Sequence, residues 1–197
     1  MSKHPWQVEG VPWKTEASYW SWVRGILRKG WSRHPVKIQF INKHRKQVPN
    51  PNPDGNKPTV WGMTCNNCKE DFPNNIPKAT KDRILAKHGI KVVTIEINHK
   101  NAASSLRSKE DLGNFASKLF YVTFDDLEPL CKPCHDIFSY MEKNYVTYEE
   151  AKIMKEAVGI CNVKGDDKKW LLDNGITPES NAAKRRKQIE NKLRSDV

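Results

Sequence analysis

The sequence predicts an α+β protein with a zinc-stapled core, in which one bound zinc joins two distant segments, and with helical N- and C-terminal appendages. Three observations predict this class. Two Cys-x-x-Cys pairs, Cys65/Cys68 and Cys131/Cys134, supply the four thiolates that a structural zinc prefers. Between the pairs, residues 91–99 alternate and are rich in β-branched side chains, which is typical of a strand. Before and after the pairs, apolar residues recur at helical spacing.

The composition points to a polyanionic partner. Of 197 residues, 37% are hydrophobic and 29% charged, and the formal net charge is +11. Nucleic acid is the commonest partner of so basic a chain, and a generic ribosomal or chaperone-bound basic protein is the alternative. We expect a cytoplasmic protein, because the sequence has neither a signal-peptide pattern nor an apolar run of ~18 residues. A reducing compartment favours thiolate–zinc bonds over disulfides, and the fifth cysteine, Cys161, is expected to be a small buried side chain.

Residues 1–47 form a basic, Trp-rich N-terminal appendage in this prediction. Thr15 caps a helix that runs to Lys29, just before Gly30. A second short element covers residues 36–41. The predicted buried stripe of the first helix comprises Trp20, Val23, Ile26 and Leu27.

A Pro/Asn linker, residues 48–58, is expected to exclude regular structure and to divide the appendage from a core at residues 59–144. The core begins with a short strand at 60–64, and its second strand is the 91–99 segment. Ser108 is expected to cap a helix, and a further helix follows from His135.

Residues 145–197 are predicted to be a helical region that binds DNA. Thr147 opens the first helix with a capping box, and a short helix ends at Gly175. The last helix starts at Pro178, after Thr177. The last two helices form either a helix-turn-helix or a pair of surface helices, and the sequence favours neither.

The core residues also suggest a reaction. A histidine that takes a proton from water, together with one divalent ion, can hydrolyse a phosphodiester. His99 ends a strand, which is a rigid place for a base, and Asn98 and His135 are candidate ligands of the ion. Asp126 is a candidate to orient the imidazole of His99.

These residues resemble the HNH endonuclease family. The matching segments are Asn98-His99, Asp126-Leu127 and Leu130-Cys131-Lys-Pro-Cys134-His135. The resemblance implies a ββα-metal (His-Me finger) fold and a metal-dependent DNA endonuclease or nickase. It makes His99 the general base and implies catalytic Mg²⁺ or Mn²⁺, with Co²⁺ or Ni²⁺ as alternatives. Residues 5–14 and 30–37 resemble the HNH proteins of tailed bacteriophages, which adds a bacterial host cell and a homing role as expectations.

Two positions depart from the family pattern, because Asn98 stands where aspartate is usual and Asp126 where asparagine is usual. A neutral amide is a poorer Mg²⁺ ligand than a carboxylate. Glu96, on the same strand face as Asn98, is the candidate that completes the metal shell. The exchange leaves two alternatives open: a catalytically weak or inactive zinc-stapled DNA-binding protein, and a factor associated with phage packaging.

Double-stranded DNA is the expected partner, with no membrane and no small-molecule substrate, and the chain is expected to be a monomer or a weak dimer. Basic side chains contact phosphates without reading sequence. The predicted DNA-binding residues are Arg24, Arg28, Lys29, Arg33, Lys43, Arg45, Lys46, Lys184, Arg185, Arg186 and Lys187.

Overall fold

The computed structural model describes residues 4–101 and 105–196 and has the predicted α+β composition. The chain forms two compact units, Met1–Lys132 and Pro133–Val197. This division differs from the four predicted segments, since the N-terminal segment and the linker belong to the same unit as the first cysteine pair. Among the described residues, no helix combines the length and apolar character needed to cross a membrane.

The longest helix of the first unit, α1 (Glu16–Ser32), begins as predicted but ends later. The Thr15 hydroxyl oxygen accepts a hydrogen bond from the Ser18 backbone N–H, which confirms the cap. The helix does not stop before Gly30, and this continuation buries Trp31. Helix α2 (Pro35–His44) follows after a short turn and covers the predicted second element.

The first sheet corrects the expectation for residues 48–58. Strands β1 (Lys46–Pro49), β2 (Thr59–Thr64) and β3 (Asp71–Pro73) form an antiparallel sheet in that order. Val48 and Pro49 therefore lie in a strand, and the rest of the proline-rich segment is the connection of a hairpin. Proline is tolerated because β1 is an edge strand. At Gly62, an added Cβ would lie 2.3 Å from the Phe72 carbonyl oxygen, so this close approach requires glycine.

Two further helices lie in the first unit. Helix α3 (Lys78–His88) was not predicted. Helix α4 (Leu112–Phe120) begins after Asp111, whose carboxylate accepts the backbone N–H groups of Arg107 and Ser108. The prediction that Ser108 caps this helix is therefore wrong, because the N-cap position belongs to Asp111, three residues further along the chain.

The second sheet contains the strand that carries His99. Strand β4 (Ile95–His99) is shorter than the predicted 91–99 and pairs antiparallel with β5 (Leu127–Cys131). The register places Asn98 opposite Glu128 and His99 opposite Leu127. Apolar side chains of this pair, including Leu127, are buried, whereas Asn98 and Glu128 are only half-buried.

The C-terminal helices are α5 (Lys132–Asn144), α6 (Tyr148–Cys161), α7 (Asp166–Asp173) and α8 (Ala182–Ser195). The Thr147 hydroxyl caps α6, as predicted, but α8 is capped by Asn181 and does not start at Pro178. The connection at 174–181 is longer than the turn of about three or four residues in a helix-turn-helix. The last three helices enclose a small core of Ala157, Leu171 and Ile189, against which Cys161 packs.

Candidate metal centre and active site

Four cysteine sulfurs come together as the sequence predicts. The Sγ atoms of Cys65, Cys68, Cys131 and Cys134 all lie within 4.8 Å of one another, and those of Cys68 and Cys131 are 3.9 Å apart. Four thiolates on a tetrahedral zinc, with Zn–S bonds of about 2.3 Å, stand about 3.8 Å apart. Because neighbouring thiolates repel one another, this arrangement fits a bound cation such as zinc.

The backbone positions these sulfur atoms. Cys65 directly follows β2, and a tight turn with Lys69 at a positive φ of 64° returns the chain to β3. The Cys131 N–H donates to the Cys65 sulfur at 3.2 Å. Burial alone raises the pKa of Cys65, but N–H donors from Cys131 and Cys68 hold that pKa below its usual value. The pKa of Cys68, in contrast, is raised by burial. A metal-binding thiolate at Cys65 is thus already favoured by the fold.

His99 lies at the end of β4 with its ring held on two sides. Its Nε2 is 3.2 Å from the Leu119 carbonyl oxygen, and its ring centroid is 4.2 Å from that of Trp31. A carbonyl only accepts hydrogen bonds, so Nε2 carries the proton and the neutral ring keeps a lone pair on Nδ1. Burial lowers the pKa of His99, and the nearby Lys37 lowers it further. Both effects favour the neutral form of the His99 imidazole.

Asp126 has a different position from the one expected of it. Its Oδ2 accepts hydrogen bonds of 2.8 Å from both the backbone N–H and the hydroxyl of Thr123, which closes a short 3-10 turn. These two donors lower the pKa of Asp126. The hydrogen-bond partner that orients His99 is the Leu119 carbonyl, and Asp126 contributes a favourable charge that raises the pKa of His99.

Asn98 lies beside a carboxylate that the sequence did not single out. Its Nδ2 donates to Glu128 Oε1 at 3.2 Å, and Glu128 Oε2 accepts from Asn66 Nδ2 at 2.9 Å. Asn66 lies in the first cysteine turn, and its backbone N–H donates to the Pro129 carbonyl at 2.8 Å. Hydrogen bonds thus connect the cysteine turn to Glu128 and Glu128 to the residue before His99.

Glu96 lines a cavity of about 460 Å³ in the first unit, together with Lys37, Lys81, Thr94 and Trp31. Lys81 Nζ donates to the Thr94 hydroxyl at 2.9 Å. Burial lowers the pKa of Lys37, and the charge of Glu96 partly offsets this effect. The predicted metal ligand Glu96 thus shares its surroundings with two lysines, which lower the affinity of that position for a second cation.

His135, the other predicted ligand of the catalytic ion, directly follows Cys134 in the first turn of α5 and is half-buried. The carboxylate nearest in sequence, Asp136, is the next residue of the same helix. The position of His135 in the chain is thereby tied to the four-cysteine cluster.

The predicted DNA-binding residues of the first unit are mostly at the surface. Arg28, Lys29 and Arg33 are exposed, whereas Arg24 is half-buried. Three others have partners: Lys43 and Arg45 lie over the rings of Phe124 and Trp61 at 5.4 and 4.6 Å, and Lys46 Nζ is 2.7 Å from Asp71.

The basic run of α8, residues 184–187, was predicted to bind DNA, but two of its side chains bind other residues of the second unit. Arg185 is buried, and its Nε donates to Asp167 at 2.6 Å while its Nη1 donates to two backbone carbonyls. Arg186 is bonded to Glu190 and Tyr140. Lys184 and Lys187 are exposed, with Lys184 Nζ 3.8 Å from Glu179. Arg185 therefore stabilises the second unit and does not present its guanidinium to a phosphate.

Comparisons with protein-family models, with curated proteins and with solved structures gave no match to this chain. Sequence reasoning missed Glu128, Asn66 and the Leu119 carbonyl. Glu128 follows the buried Leu127 in β5, so its side chain lies on the opposite face of that strand.

Proposed function

We propose that this protein is a metal-dependent HNH-type DNA endonuclease or nickase, with a ββα-metal core held by a structural zinc on the four cysteines. The observation that carries the proposal is the placement of His99: its imidazole stands at a strand end with Nε2 held by the Leu119 carbonyl, so that the lone pair of the neutral ring is on Nδ1. The four-cysteine cluster and the net charge of +11 support the same function.

In this mechanism His99 is the general base. Its Nδ1 takes a proton from a water molecule, and the water oxygen forms a bond to phosphorus. The bond from phosphorus to the leaving sugar oxygen breaks, and that oxygen takes a proton from solvent. The Leu119 carbonyl keeps the tautomer fixed, and the Trp31 ring prevents the imidazole from turning.

A bound divalent ion would supply the remaining chemistry, because it would stabilise the negative charge that develops on the phosphate and on the leaving oxygen. Amide oxygen, imidazole nitrogen and carboxylate oxygen are all donors that Mg²⁺ or Mn²⁺ accepts. The residues Asn98 and His135 are the donors that the HNH resemblance assigns to this ion.

The proposal is tested with supercoiled plasmid DNA and zinc-loaded protein, in Mg²⁺, Mn²⁺, Co²⁺ or Ni²⁺ and in a chelator that leaves the structural zinc in place. We expect nicked or linear product with divalent ions and none with the chelator. Because the imidazole of His135 is a donor that softer ions prefer, we expect Mn²⁺, Co²⁺ or Ni²⁺ to support faster cleavage than Mg²⁺. Binding of the plasmid without cleavage under every ion would contradict the nuclease.

The exchanged pair Asn98 and Asp126 favours a second candidate, a zinc-stapled DNA-binding protein without catalytic activity. The two functions are separated by the same assay, since the binding protein retards plasmid DNA in every ion and never changes its topology. Sequencing the ends of any product then gives the site, the strand and the end chemistry together.

A further inference from the structure

Asn98, the residue that precedes the proposed base His99, is neutral, but a carboxylate lies beside it. Glu128 stands directly opposite Asn98 in the β4–β5 ladder, and its Oε1 is 3.2 Å from Asn98 Nδ2. Side chains directly opposite each other on one face of an antiparallel pair have Cβ atoms about 5 Å apart, close enough to act on the same ligand. The Glu128 carboxylate is thus held beside Asn98, where it can supply the negative charge that a cation bound at Asn98 needs.

We propose that Glu128 is the carboxylate that, with Asn98, holds the catalytic divalent cation. This inference rests on the proposed nuclease function. Glu128 takes the place of Glu96 as the proposed carboxylate ligand. The negative charge at the site then comes from β5 and not from β4. The amide of Asn98 and the carboxylate of Glu128 then supply two hard oxygen donors from adjacent strands, as Mg²⁺ and Mn²⁺ prefer.

Electrostatics distinguishes Glu128 from Glu96. Glu96 lines the cavity with Lys37 and Lys81, and the charge of Glu96 acts on Lys37. Two nearby ammonium groups repel a divalent cation. Glu128 instead accepts hydrogen bonds from two amides, those of Asn98 and Asn66, which hold its position without neutralising its charge.

The position of Glu128 also depends on the cysteine cluster. Asn66 lies between Cys65 and Cys68, and it holds both the Glu128 carboxylate, through its side chain, and the β5 backbone, through its N–H. The structural zinc would therefore fix the turn that fixes the carboxylate. Supporting residues of this kind typically change metal affinity about 10- to 100-fold when they are removed.

The test is a Mn²⁺ titration of zinc-loaded full-length protein, in which electron paramagnetic resonance measures free Mn²⁺. We compare the parent with Glu128→Gln, which keeps the shape of the side chain, and with the matched control Glu96→Gln on the neighbouring strand. Zinc content and thermal unfolding verify that each variant folds. We expect Glu128→Gln to weaken Mn²⁺ binding at least about tenfold and Glu96→Gln to leave it within about twofold.

A second variant, which restores a carboxylate at the neighbouring position, shows whether the effect depends on the site or only on the net charge of the protein. Asn98→Asp in the Glu128→Gln background returns a carboxylate to the same pair, and we expect it to recover most of the lost affinity. Equal weakening by Glu128→Gln and Glu96→Gln, or parental binding by Glu128→Gln, would overturn the inference while leaving the nuclease proposal intact. A parent that binds no Mn²⁺ would overturn both.

Discussion

The basic residues at α1, in the first unit, and the arginines of α8, in the second, differ in what they do. In the first unit, Arg24, Arg28, Lys29 and Arg33 lie along or just after α1 and form no ion pair with any described residue. In the second unit, the arginines of α8 are bound to carboxylates: Arg185 to Asp167, Arg186 to Glu190 and Arg194 to Glu150. Similar residue types thus stabilise a fold in one unit and leave positive charge at the surface in the other.

This difference shows that a run of basic residues in the sequence does not by itself locate a phosphate-binding surface. The run Lys184-Arg185-Arg186-Lys187 is denser than any run in α1, yet its second member, Arg185, is buried. A buried arginine is retained when its donors are satisfied, and Arg185 uses a carboxylate and two carbonyls for this purpose. The charges of α1 lack such partners and are the stronger candidates for DNA.

The largest expected effect is on folding, because the first unit depends on zinc whereas the second has an apolar core of its own. Cys65→Ser should abolish zinc binding and unfold the first unit, because structural zinc binding contributes about 10 kcal/mol or more to folding in small domains. The helices α6, α7 and α8 have their own core and should keep their helical signal. Elemental analysis and circular dichroism measure the two effects. Cys161→Ser, outside the cluster, is the control, and retention of zinc by Cys65→Ser would refute the assignment.

Breaking the buried ion pair should affect the second unit alone. Arg185→Met leaves Asp167 buried without its partner, and we expect a loss of about 3 kcal/mol in the free energy of unfolding of that unit. Native-state hydrogen exchange at the backbone amides of α6, α7 and α8 measures it. The exposed pair of Arg194 supplies the control variant, Arg194→Met, which should change stability little. Equal losses in the two variants would show that burial of Arg185 does not matter.

The same pair predicts a pH dependence. Arg185 holds the pKa of Asp167 below its usual value. A carboxylate whose pKa is lower in the folded state stabilises fully above its unfolded pKa of about 3.9 and loses that contribution as the pH falls through the lowered folded pKa. The stability of the parent should therefore fall below about pH 4 more steeply than that of Arg185→Met. Parallel pH profiles would contradict the linkage.

A smaller effect is expected on the salt dependence of DNA binding. The triple variant Arg28→Gln, Lys29→Gln, Arg33→Gln should reduce the slope of log K against log salt by up to about 0.9 per lost phosphate contact. The control, Lys184→Gln with Arg194→Gln, removes charges that already have carboxylate partners and should change the slope less. Substitutions are preferable to deleting residues 1–47, because Trp31 contacts His99 and Lys46 lies in β1. Equal slopes in the two variants would remove the distinction between the units.

Much of the site could be predicted from side-chain chemistry. Paired cysteines have a recognisable spacing, and a β-branched run that ends in histidine predicts where His99 lies. The partner of His99 could not be predicted, because the Leu119 carbonyl has no side-chain signature and depends on how α4 lies against the strand. Glu128 required the β4–β5 register, since a shift of one residue would place it on the other face.

The same limits apply to the fold. Thr15 and Thr147 were identified as caps because their hydroxyls act locally. Strand β1 was missed because the proline-rich composition of residues 48–58 conceals an edge strand. The burial of Arg185 could not be predicted, because it depends on a contact with Asp167, on another helix.

The central claim is that His99 is a neutral general base, and one measurement tests it most directly: the plasmid cleavage rate of His99→Ala beside His44→Ala. His44 is the matched control, because one of its ring nitrogens also faces a backbone carbonyl: its Nδ1 lies 2.8 Å from that of Phe40, within α2. We predict that His99→Ala lowers the rate at least about 100-fold with DNA affinity unchanged, whereas His44→Ala cleaves like the parent. Cleavage by His99→Ala at the parental rate would contradict the account.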